Sequence, residues 1–368
     1  MKINPVVQVI FPHPWALNSP SLIGLTRFLK QNDMPYILYV PNCNKKIRNF
    51  FGNVKNLKKN YIRFFLLKVL NFFLARFLFH NLLLNNLSKK LYINAYVPIA
   101  NENIMNTIIF DFYGIQNFLK NNKNSVHIFS TEIYSYFQNI GKFAEIQKLK
   151  IIIQSFERSS FLGFSRKDNI YIVKNSHHLS INSYSENFNK NKRSGLIYSG
   201  TFSNELGAQI LKRIFIDRKF DVNLTLHSSN ITENFYFGKI DNLKVVRAYL
   251  SDNELNALIA SHLVGLVFFD FDYINKIQDF NFKTGPSGKL YKYASCLVPV
   301  IGKRCIGLLD IETFGCGILL DDINHDSVLN AYQKILKNYK YYQNGCKNLI
   351  NSSSFEKSLK IFANENLM

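Results

Sequence analysis

The chain is short of acidic residues. Its 368 residues hold 25 Asp and Glu against 45 Lys and Arg, a formal net charge of +20 at pH 7. Such a surface attracts polyanions: nucleic acid, an anionic membrane face or phosphorylated substrates. Cysteine is scarce too. There are 5, an odd number with no C-x-x-C spacing, which argues against a disulfide scaffold and fits a reducing compartment. No G-x-x-x-x-G-K-[ST] occurs, so a nucleotide-hydrolysing P-loop is excluded, and nothing supports a Ser-His-Asp triad. Helix-turn-helix, zinc-finger and RNA-binding signatures are missing, which weakens the nucleic-acid reading of the charge. The opening Met1-Lys2-Ile3-Asn4-Pro5 runs straight into a strand-like segment without a signal-peptide apolar region, and the expectation is a cytoplasmic protein.

What is present is a globular composition. The chain is 47% hydrophobic, its mean hydropathy is −0.06, and its length suits one or two domains with full cores. Short apolar runs alternate with helical patterns, the sequence sign of a parallel α/β sheet. Strands are predicted at 6–11, 36–40, 107–112, 126–130, 150–154 and 170–173. A second series is predicted at 195–199, 222–226, 243–249, 264–269, 298–301 and 317–320. Each is a near-continuous apolar run, as strands buried on both faces require. Between the two series lies a polar, charged and unpatterned stretch, 185–194, that reads as a linker. Ser251-Asp252-Asn253-Glu254 fits a capping box at the start of a helix through Leu255, Leu258 and Ile259.

The stretch richest in chemistry is Gly285-Pro286-Ser287-Gly288-Lys289-Leu290-Tyr291-Lys292-Tyr293, followed by Val298-Pro299-Val300-Ile301. A glycine lets a backbone approach an anion, and a helix N-terminus offers it free N–H groups and a positive dipole end. Lys289 adds a full charge. The combination suits a phosphate. At the end of the first strand of the second series, Tyr198-Ser199-Gly200-Thr201 provides another turn whose N–H groups can face a phosphate. The other reading of that segment is a plain strand-to-helix turn.

The pattern S-G-K-L-x-x-Y, then P-V-I, then Gly315-Cys316-Gly317-Ile318 before Asp321-Asp322, resembles the donor half of GT-B glycosyltransferases, of the family 1/4-like, bacterial surface-polysaccharide type. The resemblance implies an α/β fold of two Rossmann-like domains whose parallel sheets face a central cleft. It also implies an N-terminal acceptor-side domain over 1–188, a nucleotide-sugar donor domain over 195–350, and a C-terminal helix, 351–368, that returns toward the first domain. The donor-binding residues it implies are Gly200, Thr201, Tyr249, Leu250, Lys283, Thr284, Ser287, Gly288, Lys289 and Glu312, with Lys289 also stabilising the departing nucleotide. Two departures stand out. Lys292 occupies the place where many members carry a ribose-gripping Glu, and Leu297 and Val298 precede the Pro where many carry Gly. The resemblance implies no cofactor and no metal.

His13 sits in Phe11-Pro12-His13-Pro14-Trp15, at the carboxyl end of the first strand, the edge at which open α/β sheets bind ligands. It is a candidate general base for an acceptor hydroxyl or a hydrogen-bond partner of the sugar; the other reading is a loop histidine held by two prolines. Asp111 and Glu132 also end first-half strands and are rival bases. Asp270-Phe271-Asp272 matches D-x-D, a metal-binding pattern of a different glycosyltransferase fold, but at the end of a strand in this half it reads better as a loop turn or acceptor contact. His177 and His178 have no partner at zinc-ligand spacing.

The segment of about residues 55–90 is apolar and basic together. Leu66, Leu67, Leu70, Phe73, Leu74, Phe77 and Leu78 make one stripe at helical spacing. The opposite face mixes Lys68, Asn71 and Arg76 with Phe64, Phe72 and Phe79. Three readings stand: an interfacial helix with its basic side chains snorkelling, a buried core helix, and a membrane span burdened by two charges. On the first, the protein lies peripherally on the inner face of the cytoplasmic membrane. The functional expectation is then a glycosyltransferase moving a sugar from a nucleotide-sugar to a lipid-linked or glycolipid acceptor in surface glycan biosynthesis (lipopolysaccharide or capsule). A soluble sugar-nucleotide epimerase of the same fold is the first alternative, and a basic nucleic-acid binder the second.

Overall fold

In the computed structural model the residues described are 6–13, 16–57, 66, 87, 104–112, 114–121, 125–131, 140–165, 167–176, 193–203, 206–216, 221–229, 241–271 and 276–368. The segment 55–90 lies outside them except for Lys55, Asn56, Leu57, Leu66 and Leu87, as do linker positions 185–192. Contacts divide the chain into two units, Met1–His177 with Phe355–Met368, and His178–Ser354.

The first unit is built on seven parallel strands: β1 Val6–Ile10, β2 Tyr36–Val40, β3 Val54–Asn56, β4 Ile104–Phe110, β5 Ser125–Ser130, β6 Lys150–Ile153 and β7 Ile170–Ile172. Their order is β3-β2-β1-β4-β5-β6-β7. Every residue of β2 is buried, as helices on both faces of a parallel sheet demand. β3 is the strand absent from the sequence reading. It has three residues, of which only Val54 is buried, too short for a periodic signal.

The second unit has six parallel strands: β8 Leu196–Ser199, β9 Leu224–His227, β10 Leu243–Val246, β11 Val264–Val267, β12 Val300–Lys303 and β13 Gly317–Leu320. Their order is β10-β9-β8-β11-β12-β13. Side chains alternate between two apolar layers, as the pleat requires. Leu196 and Tyr198 enter one layer with Ile214, Val328 and Ile335. Ile197 enters the other with Leu290, Ile311 and Leu349. The capping box at Ser251 and Glu254 is present, starting the helix Asp252–Ala260. The four cysteines Cys296, Cys305, Cys316 and Cys346 are buried and free, acting as small apolar side chains.

The final helix, Phe355–Asn366, belongs to the first unit. It buries Phe355, Leu359, Phe362 and Ala363, one stripe at helical spacing. Gly24, on the helix Pro20–Gln31, makes room for it: a Cβ there would lie 2.7 Å from the Phe355 ring. Among the described residues no helix is long and apolar enough to cross a membrane.

Phe362 is fully buried in the first unit. Phe362→Ala is expected to destabilise that unit by about 3–5 kcal/mol, the usual cost of removing a buried aromatic ring. Urea unfolding should show the loss as a lower midpoint with an unchanged slope.

Candidate functional site

In an open parallel sheet, ligands collect beyond the carboxyl ends of the strands where the strand order reverses. In the first unit the order reverses between β1 and β4. His13 follows β1 and Asp111 follows β4, so the topology brings them together. His13 Nε2 lies 2.6 Å from Asp111 Oδ2, and both side chains are buried. Asp111 Oδ1 accepts the Thr131 backbone N–H at 2.9 Å, and the Thr131 hydroxyl donates to Oδ2 at 3.2 Å. The Arg158 guanidinium donates to the Thr131 carbonyl at 2.7 Å and to Gln154 Oε1 at 2.9 Å. An ionised carboxylate only accepts, so the proton shared by this pair is donated by His13 Nε2. Asp111 has φ 52°, a left-handed conformation uncommon outside glycine and frequent at functional sites. Phe11 sets the plane of the imidazole through an edge contact at 5.1 Å.

His13 and Asp111, rivals in the sequence reading, are thus partners. Thr131 and Arg158 carried no sequence signal. The pairing itself was recoverable, because a Rossmann strand order places the ends of the first and fourth strands side by side. Glu132 lies outside the described residues.

In the second unit the order reverses between β8 and β11. β8 ends at Ser199, and Gly200 has φ +134°. A Cβ on Gly200 would lie 2.6 Å from Lys289 Cε, so glycine allows both the turn and the lysine beside it. Lys289 is the second residue of the helix Gly288–Ser295, whose N-cap, Ser287, makes no side-chain cap hydrogen bond. The first-turn N–H groups are therefore left uncapped by that hydroxyl, beside a lysine and a glycine turn. This is the arrangement that favours an anion. The Lys289 ammonium sits 5.0 Å from the centre of the Tyr198 ring. Burial pushes its pKa from 10.5 down to about 8, because a desolvated ammonium with no anion disfavours its own charge.

The Tyr198 hydroxyl donates to Thr201 O at 2.6 Å and Leu206 O at 3.0 Å, tying down the turn. Tyr293 OH accepts the Ser199 N–H at 2.8 Å. Ser199 Oγ lies 2.8 Å from His227 Nδ1, and His227 Nε2 lies 3.2 Å from the Ala248 carbonyl. A carbonyl only accepts, so Nε2 carries the proton and Nδ1 receives the serine hydroxyl. Burial lowers the His227 pKa and keeps the ring neutral. This relay links the Gly200 turn to the segment of Tyr249 and Leu250, where Tyr249 is 78% exposed.

Other sequence candidates take different places. Lys283 Nζ lies 5.2 Å from the Phe271 ring centre. Thr284 is buried, its hydroxyl donating to Phe280 O at 2.6 Å within its own helix. Glu312 forms a two-pronged pair with Arg304 at 2.6 and 2.7 Å, which holds its carboxyl below the usual range. Lys292 reaches Asp252 at 3.3 Å. Asp270 is buried after β11, whereas Asp272, His177 and His178 lie outside the described residues. Among the described residues no three His, Cys, Asp or Glu side chains converge.

No protein-family model and no curated protein matches the sequence. Solved structures do match. A glycosyltransferase from Rickettsia africae aligns over 98% of this chain and 98% of its own with a TM-score of 0.67 at 11% identity. An α,α-trehalose-phosphate synthase (UDP-forming) from Burkholderia xenovorans, solved with glucose-6-phosphate, aligns over 99% of this chain and 100% of its own with a TM-score of 0.64 at 10% identity. Anabaena HepE, solved with UDP and glucose, aligns over 98% and 99% with a TM-score of 0.61 at 11% identity. The chain is similar to these proteins in fold: two Rossmann-like halves of the GT-B type.

The lowered Lys289 pKa gives a pH dependence. The ammonium is charged below about pH 8 and neutral above it. A bound phosphate would stabilise the charged form and raise that pKa. Affinity for a phosphate-bearing ligand should therefore be flat with pH below 8 and fall as pH rises through 8, until the pKa of the complex is reached. Calorimetric titration with UDP from pH 6.5 to 9.5 measures this, and Lys289→Met should remove the alkaline decline.

Proposed function

We propose that this GT-B chain is a glycosyltransferase, taking a sugar from a nucleotide-sugar donor to a hydroxyl of a lipid-linked or glycolipid acceptor in surface glycan biosynthesis. The observation that carries the reading is the seat formed by Gly200, Lys289 and the start of the helix Gly288–Ser295. Its ammonium is desolvated and lacks a carboxylate partner among the contacts described, which suits a diphosphate whose charge grows as the glycosidic bond breaks. The exposed Tyr249, next to the residue held by His227, offers a surface for a nucleobase.

The first unit supplies the base. His13 is the candidate to take the proton of the acceptor hydroxyl, with Asp111, 2.6 Å from its Nε2, stabilising the imidazolium that forms. The acceptor oxygen bonds to the anomeric carbon, the bond from that carbon to the phosphate oxygen breaks, and the nucleotide leaves with the negative charge. Lys289 and the helix N–H groups meet that charge. The scheme uses no metal.

Lys289→Ala should weaken nucleotide-sugar binding by about 1.5–3 kcal/mol, the value of a hydrogen bond to a charged group. His13→Ala should lower kcat about 10²- to 10⁴-fold, the usual share of general-base catalysis, with donor affinity unchanged. A thermal-shift screen across UDP-, GDP-, dTDP-, ADP- and CMP-sugars identifies the donor. Absence of any shift would remove the donor seat. Interconversion of a sugar-nucleotide without acceptor would replace the transferase with an epimerase.

The lipid side of the proposal rests on the composition of residues 55–90. The protein should sediment with anionic vesicles and be partly released by high salt, since each basic residue near an anionic surface contributes about 1 kcal/mol. Replacing Phe64, Phe72 and Phe79 with serine should reduce sedimentation with the circular dichroism unchanged. Unfolding on that replacement would mean that the rings are core.

A further inference from the structure

The first unit also carries a pocket of about 380 Å³ at the opposite edge of its sheet from His13 and Asp111. It opens beside the amino ends of β5 and β6, and the end of the final helix forms one wall. His127 is among its lining residues. That side chain is 4% exposed, and neither ring nitrogen has a hydrogen-bond partner among the described residues. Buried polar groups in native proteins are almost always satisfied, so a doubly unmet imidazole at a pocket calls for a partner. The ring is set by an edge contact with Phe362 at 5.1 Å. Burial, with the charge of Lys150, lowers its pKa from 6.5 to about 4, so near neutral pH it offers one donor and one acceptor.

The rim supplies charge. Lys148 is exposed, and Lys150 is held by Asp168 O at 3.2 Å and Asn169 Oδ1 at 2.9 Å. The Glu365 carboxylate accepts the Tyr171 hydroxyl at 2.5 Å, and the Asn366 amide donates to the Tyr171 hydroxyl oxygen at 3.0 Å and to Phe362 O at 2.8 Å. Lys148, Lys150, Glu365 and Asn366 all line the pocket.

We propose that this pocket is a second ligand site, separate from the donor seat, that takes a small sugar phosphate. Its phosphate would meet Lys148 and Lys150, the two cations among the lining residues, because charge-assisted hydrogen bonds to a phosphate are the strong ones. Its hydroxyls, each a donor and an acceptor, match neutral His127 and the Glu365 carboxylate. The volume exceeds what inorganic phosphate fills and suits a hexose phosphate.

The test is calorimetric titration of the full-length protein with glucose-6-phosphate, glucose and inorganic phosphate, with the imidazole nitrogens of His127 followed by NMR. Glucose-6-phosphate should bind saturably and at least tenfold more tightly than either fragment, and should shift the His127 ring signals. Lys148→Glu, at an exposed position, and His127→Phe should each weaken binding at least tenfold, while Lys289→Ala should leave it unchanged. The proposal is overturned if none of the three probes binds saturably, if inorganic phosphate binds as tightly as the sugar phosphate, if Lys148→Glu has no effect, or if Lys289→Ala abolishes binding.

Discussion

In each unit one reversal of strand order decides where chemistry can occur. Parallel strands carry their crossover helices away in opposite directions from β1 and β4, and again from β8 and β11. Beyond each reversal the carboxyl ends of two adjacent strands are left without a helix packed over them. Groups placed there are desolvated, which focuses their charge. His13 and Asp111 stand at one such point, and Gly200 stands at the other, with Lys289 against it. The rest of each unit, apolar strands between helix layers, holds these ends in register.

The two points handle charge in opposite ways. In the first unit the carboxylate is provided for: Thr131 supplies an N–H and a hydroxyl, and a buried guanidinium stands behind Thr131. The imidazole is thereby fixed in one tautomer. In the second unit the cation is desolvated, and its lowered pKa records that lack of compensation. The helix that presents Lys289 is anchored at its far end by another buried arginine. Arg193 donates to Cys296 O at 3.2 Å and to Leu297 O at 2.9 Å, so a cation meets the negative end of the helix while its positive end carries Lys289 beside Gly200.

Most of the fold could be read in the sequence because buried parallel strands leave a strong local signal. Twelve of the strands coincide with apolar runs such as Tyr36-Ile37-Leu38-Tyr39-Val40, and β3, with a single buried side chain, does not. The closeness of Gly200 and Lys289 was legible for the same local reason: Ser287-Gly288-Lys289 is contiguous, and Gly200 sits at a strand end. The dyad was only half legible. His13 and Asp111 are 98 positions apart, and no periodicity links them; only strand order does. Glu312 shows a partner that the sequence hid. Its position suggested a ligand contact, but Arg304, eight residues earlier, takes both carboxylate oxygens, a pairing set by the strand and helix between them and invisible to composition.

The aromatic richness of the chain, 33 Phe and 20 Tyr, acquires a structural meaning in the first unit. His13 contacts Phe11, and Phe11 contacts Phe110, each at 5.1 Å. Phe110 stacks on Phe129 at 4.8 Å, and Phe129 on Phe355 of the final helix at 6.4 Å. Two turns further along that helix Phe362 meets His127, at 5.1 Å. Rings are stiff and their contacts directional, so this series fixes the plane of the basic imidazole from within the core. It also means that the final helix, remote in sequence from both histidines, packs against the layer that positions one and against the ring of the other. Contiguity of this kind is a route for strain, and whether it carries coupling depends on the final helix having two arrangements of similar energy. The close fit of Phe355 over Gly24, where even a Cβ would collide, argues for a single arrangement at the near end. Any second arrangement would have to lie at the far end, around Glu365 and Asn366, where the side chains meet solvent and the pocket.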